Sequence, residues 1–124
     1  PESTSSAAPA SALAIRGARF HTLITPTARV TTRLDRLGAG CFVDHYALIS
    51  TDVSIGPHTH VGAHATIGHD VTIGTGCHVG AFCFVGGDVR IGAGVTLRSH
   101  ATISPGVTIE DGAVVGPNTL VIRR

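Results

Sequence analysis

From Val43 to Val121 an aliphatic residue stands at every sixth position. The series runs Val43, Ile49, Ile55, Val61 and onward to Ile109, Val115 and Val121, although Ile, Leu and Val make up only about a quarter of the chain. Two residues before each member lies a small or β-branched side chain, such as Cys41, Ala47, Val53, Thr59 and Ala65. The residue between them is mostly Thr, Ser, His or Arg. Small, polar, aliphatic is the alternation of a short strand with one buried face. A period of six predicts a chain wound as a β-helix, three six-residue sides closing one 18-residue coil. Residues 41–124 would then make between four and five coils, about 22 Å tall at the ~4.8 Å strand spacing.

Glycine follows the aliphatic residue at every repeat from Gly56 to Gly92 and again at Gly116. That placement is expected to give the backbone freedom for a corner. With 16 glycines, no tryptophan and a single tyrosine, the core must be filled by Val, Ile, Leu and Ala, which suits a thin, regular architecture.

Upstream the pattern fades. Residues 1–12 are a Ser, Ala and Pro run that reads as a tail or linker. Residues 13–40 form an entry segment, with a short helical turn expected within 11–20 and a break at Pro26. The β-helix is expected over 41–124.

Composition excludes several function classes. Net charge is +1 and all nine basic residues are scattered arginines, so no basic stripe points to nucleic acid. No apolar run is long enough to span a membrane. Three cysteines without a CxxC pair fit a reducing compartment, and the expected location is cytoplasmic. All three take the small inward register, and Cys41 and Cys77 lie two coils apart, too far for a disulfide.

Eight histidines are a heavy load for 124 residues, and five fall within 58–78. His60 and His78 are 18 apart and stack directly. His64, His69 and His100 invite comparison with the three-histidine zinc site of γ-class carbonic anhydrases. There, however, the lone histidine precedes the close pair by two coils, a place held here by Ala28. His69 is distinguished by its neighbour, because His69-Asp70 projects from a corner. A carboxylate beside an imidazole fixes the tautomer and frees one ring nitrogen to take a proton, which is what a general base requires.

Ile67-Gly68-His69-Asp70, with His78 nine residues after His69, resembles the signature of the hexapeptide-repeat sugar acetyltransferases of the sialic acid O-acetyltransferase and nucleotide-amino-sugar N-acetyltransferase type. The segment 20–30 and the loop 86–92 are similar to that family's entry linker and to its loop after the second histidine. The resemblance implies a left-handed parallel β-helix and acetyl-CoA as acyl donor. It implies a hydroxyl or amine of a sugar or sugar nucleotide as acceptor. His69 would be the base, oriented by Asp70. His78 would hydrogen-bond the donor thioester region, and the Gly87 amide would hold the oxyanion. Further donor contacts would fall at Ser99 and Pro117, where side chains depart from the family's usual ones. Family members usually carry an N-terminal nucleotide-binding domain, so either these 124 residues are a fragment or the acceptor is expected to be held by the β-helix alone. His69 and His78, half a coil apart, point to different sides, so a homotrimer with interfacial sites is expected. A γ-carbonic-anhydrase-like metalloenzyme and a non-catalytic scaffold are the alternative functions.

Overall fold

The computed structural model describes residues 13–15, for which the backbone course alone is given, and residues 22–123. It is a left-handed parallel β-helix of two-residue strands separated by four-residue corners. Three faces run its length. The first stacks Thr22–Ile24, Phe42–Val43, His60–Val61, His78–Val79, Thr96–Leu97 and Val114–Val115. The second stacks Arg29–Val30, Leu48–Ile49, Thr66–Ile67, Phe84–Val85, Thr102–Ile103 and Leu120–Val121. The third stacks Ser54–Ile55, Thr72–Ile73, Arg90–Ile91 and Thr108–Ile109, with Leu37 bridged to Ile55 below them.

Partners in neighbouring coils are 18 residues apart, as His60↔His78 and Phe84↔Thr102 are. In the first coil the offset is 19, Ile24↔Val43 and Val30↔Ile49. The stacking therefore reaches back to Thr22, well upstream of the regular repeat. A single 3-10 turn at Leu34–Arg36 absorbs the extra residue, so Leu37 falls seven positions after Val30 and still lands in the core. Of the expected helical turn within 11–20, residues Leu13–Ile15 instead form a strand antiparallel to Thr22–Ile24. The open edge of the first coil offers unpaired backbone groups, and satisfying them overrides local propensity. The remainder of that segment lies outside the described residues.

The core is one column. The aliphatic residues from Val43 through Ile109 are buried, as are the small ones from Cys41 through Val107. Truncating one of the fully buried ones, such as Ile67, is expected to cost about 2–5 kcal/mol. In the last coil Val115 and Val121 are only half-buried, since no strand among the described residues stacks above them. The cysteines are free and do more than fill space. Cys41 Sγ donates to Gly56 O at 3.1 Å and Cys77 Sγ to Gly92 O at 3.0 Å. Between them, Thr59 Oγ1 donates to Gly74 O at 2.9 Å and accepts the Cys77 amide at 3.1 Å. Burial pushes the Cys41 and Cys83 thiols up from their ordinary value.

The glycine after the aliphatic residue does not provide left-handed backbone. That conformation recurs two residues later, every sixth position from Gly40 to Asn118, and mostly on non-glycine residues. Asp70 holds it at φ 57°, His64 at 60° and Phe82 at 60°. Asp, Asn and His tolerate this region better than most side chains. Here, from His58 to Asn118, the amide at each such position donates to a backbone carbonyl of the preceding coil, as Asp70 N does to Thr51 O at 3.0 Å and Phe82 N to Ala63 O at 2.9 Å. The glycine after the aliphatic residue is needed for proximity instead. A Cβ on Gly74 would lie 2.7 Å from Gly92 C, and one on Gly62 2.8 Å from the Ala81 amide nitrogen.

Candidate active site

His69 and Asp70 sit on the corner between the second and third faces, directly after Gly68. His69 Nδ1 lies 2.9 Å from Asp70 Oδ2. A carboxylate only accepts, so Nδ1 carries the proton and donates it, and Nε2 keeps its lone pair. The corner backbone is held from both sides. Asp70 N bonds down to Thr51 O, and His69 O accepts the Asp88 amide from above at 3.0 Å. The hydrogen bond to Asp70, joined by the Asp70 and Asp88 charges, holds the His69 imidazole above its ordinary value.

Gly87 occupies the equivalent corner one coil on. A Cβ there would come 2.6 Å from His69 Nε2 and 2.7 Å from Cε1, so the ring lies over the bare Cα of Gly87. Among the described residues the Gly87 amide finds no backbone hydrogen-bond partner. Asp52, Asp70 and Asp88 form a column at successive left-handed corner positions. With Arg36 and Arg90 they border a polar cleft of about 420 Å³ beside the third face.

His78 lies elsewhere. Its strand is on the first face, between His60 in the coil below and Thr96 in the coil above. It lines a groove of about 550 Å³ together with Ser99 and Pro117, which sit on the corner between the first and second faces. Burial first, and the neighbouring His60 second, push the His78 imidazole below its ordinary value. The six residues singled out in sequence thus form two clusters, His69-Asp70-Gly87 and His78-Ser99-Pro117, on different parts of one helix.

Three ionisable side chains of the groove were given no role in the sequence reading: Asp44, His60 and Arg98. Counting in eighteens puts His60 under His78, and Arg98 directly precedes Ser99, so both are within reach of the repeat arithmetic. The histidines considered as a metal set are separated. His64 and His100 belong to the corner between the first and second faces, with the Phe82 ring between them, whereas His69 projects from the next corner. No group of three or more His, Cys, Asp or Glu among the described residues is arranged to hold a metal ion. Among the described residues no helix is long and apolar enough to cross a membrane.

The sequence matches the family model described as bacterial transferase hexapeptide (six repeats) over residues 36–69, 70–105 and 88–123. No curated protein matches it significantly. The fold is similar to a mutant perosamine N-acetyltransferase from Caulobacter crescentus solved with CoA and GDP-perosamine. The TM-score is 0.68 at 30% identity, covering 82% of this chain and 53% of that one. It is also similar to the acetyltransferase domain of PglB from Neisseria gonorrhoeae, with a TM-score of 0.55 at 25% identity, over 82% of this chain and 54% of that one. This chain spans about half the length of these solved relatives.

Proposed function

The chain belongs to the bacterial transferase hexapeptide family, and on that basis we propose that it transfers an acetyl group from acetyl-CoA to a sugar or sugar nucleotide. The observation that carries this reading is the His69–Asp70 hydrogen bond, which leaves Nε2 unprotonated on an exposed corner against the bare Cα of Gly87. The 30% identity to an enzyme solved with CoA and GDP-perosamine supports a nucleotide-linked amino sugar as acceptor.

His69 Nε2 takes the proton from the acceptor amine or hydroxyl as its nitrogen or oxygen attacks the thioester carbonyl. Asp70 keeps the ring in the required tautomer and balances the imidazolium that forms. The carbonyl oxygen becomes an oxyanion, within the reach assigned to the Gly87 amide; losing such a donor typically costs ~10²–10³ in rate. Collapse of the tetrahedral intermediate breaks the carbon–sulfur bond, and the CoA thiolate recovers the proton from His69. His78, Ser99 and Pro117 line the donor groove, and Arg98 supplies positive charge there for the phosphates of CoA. The polar cleft beside Asp70 offers carboxylates and arginines to an acceptor rich in hydroxyls.

Two copies are needed to bring the clusters together. Tyr46, His64, Phe82 and His100 form an exposed ring column on the corner between the first and second faces, with centroids 4.7–5.1 Å apart. Leu48, Phe84 and Leu120 are exposed on the second face beside it. An apolar strip of this kind supports self-association. With these corners at a threefold axis, each triangular corner fills about 60°, so three leave V-shaped clefts between subunits. One wall of each cleft is the first face of one subunit, bearing His78. The other is the second face of its neighbour, ending at His69. We therefore read the active species as a cytoplasmic homotrimer, in keeping with three free thiols.

Calorimetric titration of acetyl-CoA into the purified protein tests the donor assignment. Binding near one per chain, weakened by His78→Ala, is expected; no binding to a trimer would overturn it.

A further inference from the structure

We infer that Asp44 and His60 form a positioning pair for His78, keeping its imidazole neutral and its ring fixed on the floor of the donor groove. This rests on the assignment of that groove to the acyl donor. The three residues are stepped along one wall. The His60 ring lies between Phe42, stacked at 5.0 Å and 24°, and His78, edge-on at 4.9 Å and 64°. Phe42 below and His78 above flank the His60 ring on both sides. Its Nε2 is buried and makes no hydrogen bond among the described residues, and the Asp44 carboxylate stands 3.5 Å from it. A buried ring nitrogen facing a carboxylate is the place for a proton, so Nε2–H is the tautomer this geometry selects.

The consequence falls on His78. The groups facing it are His60 from the coil below, with Asp44 beyond, Thr96 from the coil above, and Arg98 on the groove wall. Asp44 faces His60, whereas no carboxylate among the described residues is paired with His78. Positive charge on both rings, 4.9 Å apart, is opposed. Burial of the His78 ring acts in the same direction. A neutral imidazole keeps one donor and one acceptor nitrogen, and can both accept from the pantetheine amide and donate to a carbonyl. An imidazolium only donates. Asp44 and His60 touch neither reacting atom in this scheme and act through His78.

Imidazole titration by ¹H–¹⁵N NMR on the substrate-free protein tests this. In the wild type His60 is expected as the Nε2–H tautomer, and Asp44→Asn is expected to mix its tautomers. His60→Phe preserves the ring stack but removes the charge, and the His78 midpoint should rise by about half a pH unit or more. His60→Thr, matching the threonine that this face carries at 96, should do the same. An Nδ1–H tautomer at His60 in the wild type would overturn the proposal. So would a His78 midpoint unchanged in both His60 variants with the fold intact. The readout needs no turnover, so a protein that acetylates nothing still passes or fails it.

Discussion

Replacing Gly87 by alanine separates the site from the scaffold. Gly87 does not need left-handed backbone, so alanine fits its conformation. The new Cβ would come 2.6 Å from His69 Nε2, where ordinary contact begins near 3.4 Å. The ring must therefore recede by about 0.8 Å, and displacement of a catalytic group by about 1 Å can cost ~10² in rate. The Gly87 amide is retained, so oxyanion stabilisation is not removed directly. The clashing atoms belong to an exposed side chain free to swing, so stability should change by no more than about 0.5 kcal/mol. At Gly74 the added Cβ meets Gly92 C at 2.7 Å and the Ala93 nitrogen at 2.8 Å, all backbone. Gly74→Ala should cost about 1–3 kcal/mol or more by forcing the coils apart. The assay pairs thiol release from acetyl-CoA, with a nucleotide amino sugar as acceptor, with thermal unfolding followed by circular dichroism. Full kcat/KM in Gly87→Ala, or unchanged stability in Gly74→Ala, would refute the reasoning.

Other expectations follow from the same geometry. Because Asp70 holds His69 above its ordinary value and the base works unprotonated, kcat/KM should rise with pH to a midpoint above ~6.5. Asp70→Asn should move that midpoint down and lower the plateau, as read from a pH–rate profile. Thr59→Val keeps the shape but leaves Gly74 O and the Cys77 amide unpaired, and should lower stability by about 1–3 kcal/mol in urea unfolding. Phe82→Asp, in the middle of the exposed ring column, should convert a trimer to monomers in light scattering while circular dichroism is unchanged.

Much of this architecture is legible in the six-residue period. It picks out the buried column from Val43 to Ile109, because in a β-helix register and burial are the same information. It fails where the physics adds a term. The first coil is hidden because one extra residue between Val30 and Leu37 breaks the count, although the 3-10 turn restores the stacking. Gly56 to Gly92 suggested turning freedom, but what forbids a side chain there is the adjacent coil's backbone. The turning is done at Asp70, Phe82 and their equivalents, where hydrogen bonds to the preceding coil hold an uncommon conformation. At the site, eighteen-residue spacing puts Gly87 over His69 and His60 under His78, and half-coil spacing parts His69 from His78. The Asp44–His60 contact is not legible, since it depends on how two outward side chains lean across neighbouring coils.

The most direct measurement is turnover of acetyl-CoA with a nucleotide-linked amino sugar by the wild type and by His69→Ala. The wild type should release CoA and acetylate the sugar, one for one. His69→Ala should retain the fold and acetyl-CoA binding while losing most of kcat. Comparable turnover in the two proteins would contradict the assignment of His69 as the base.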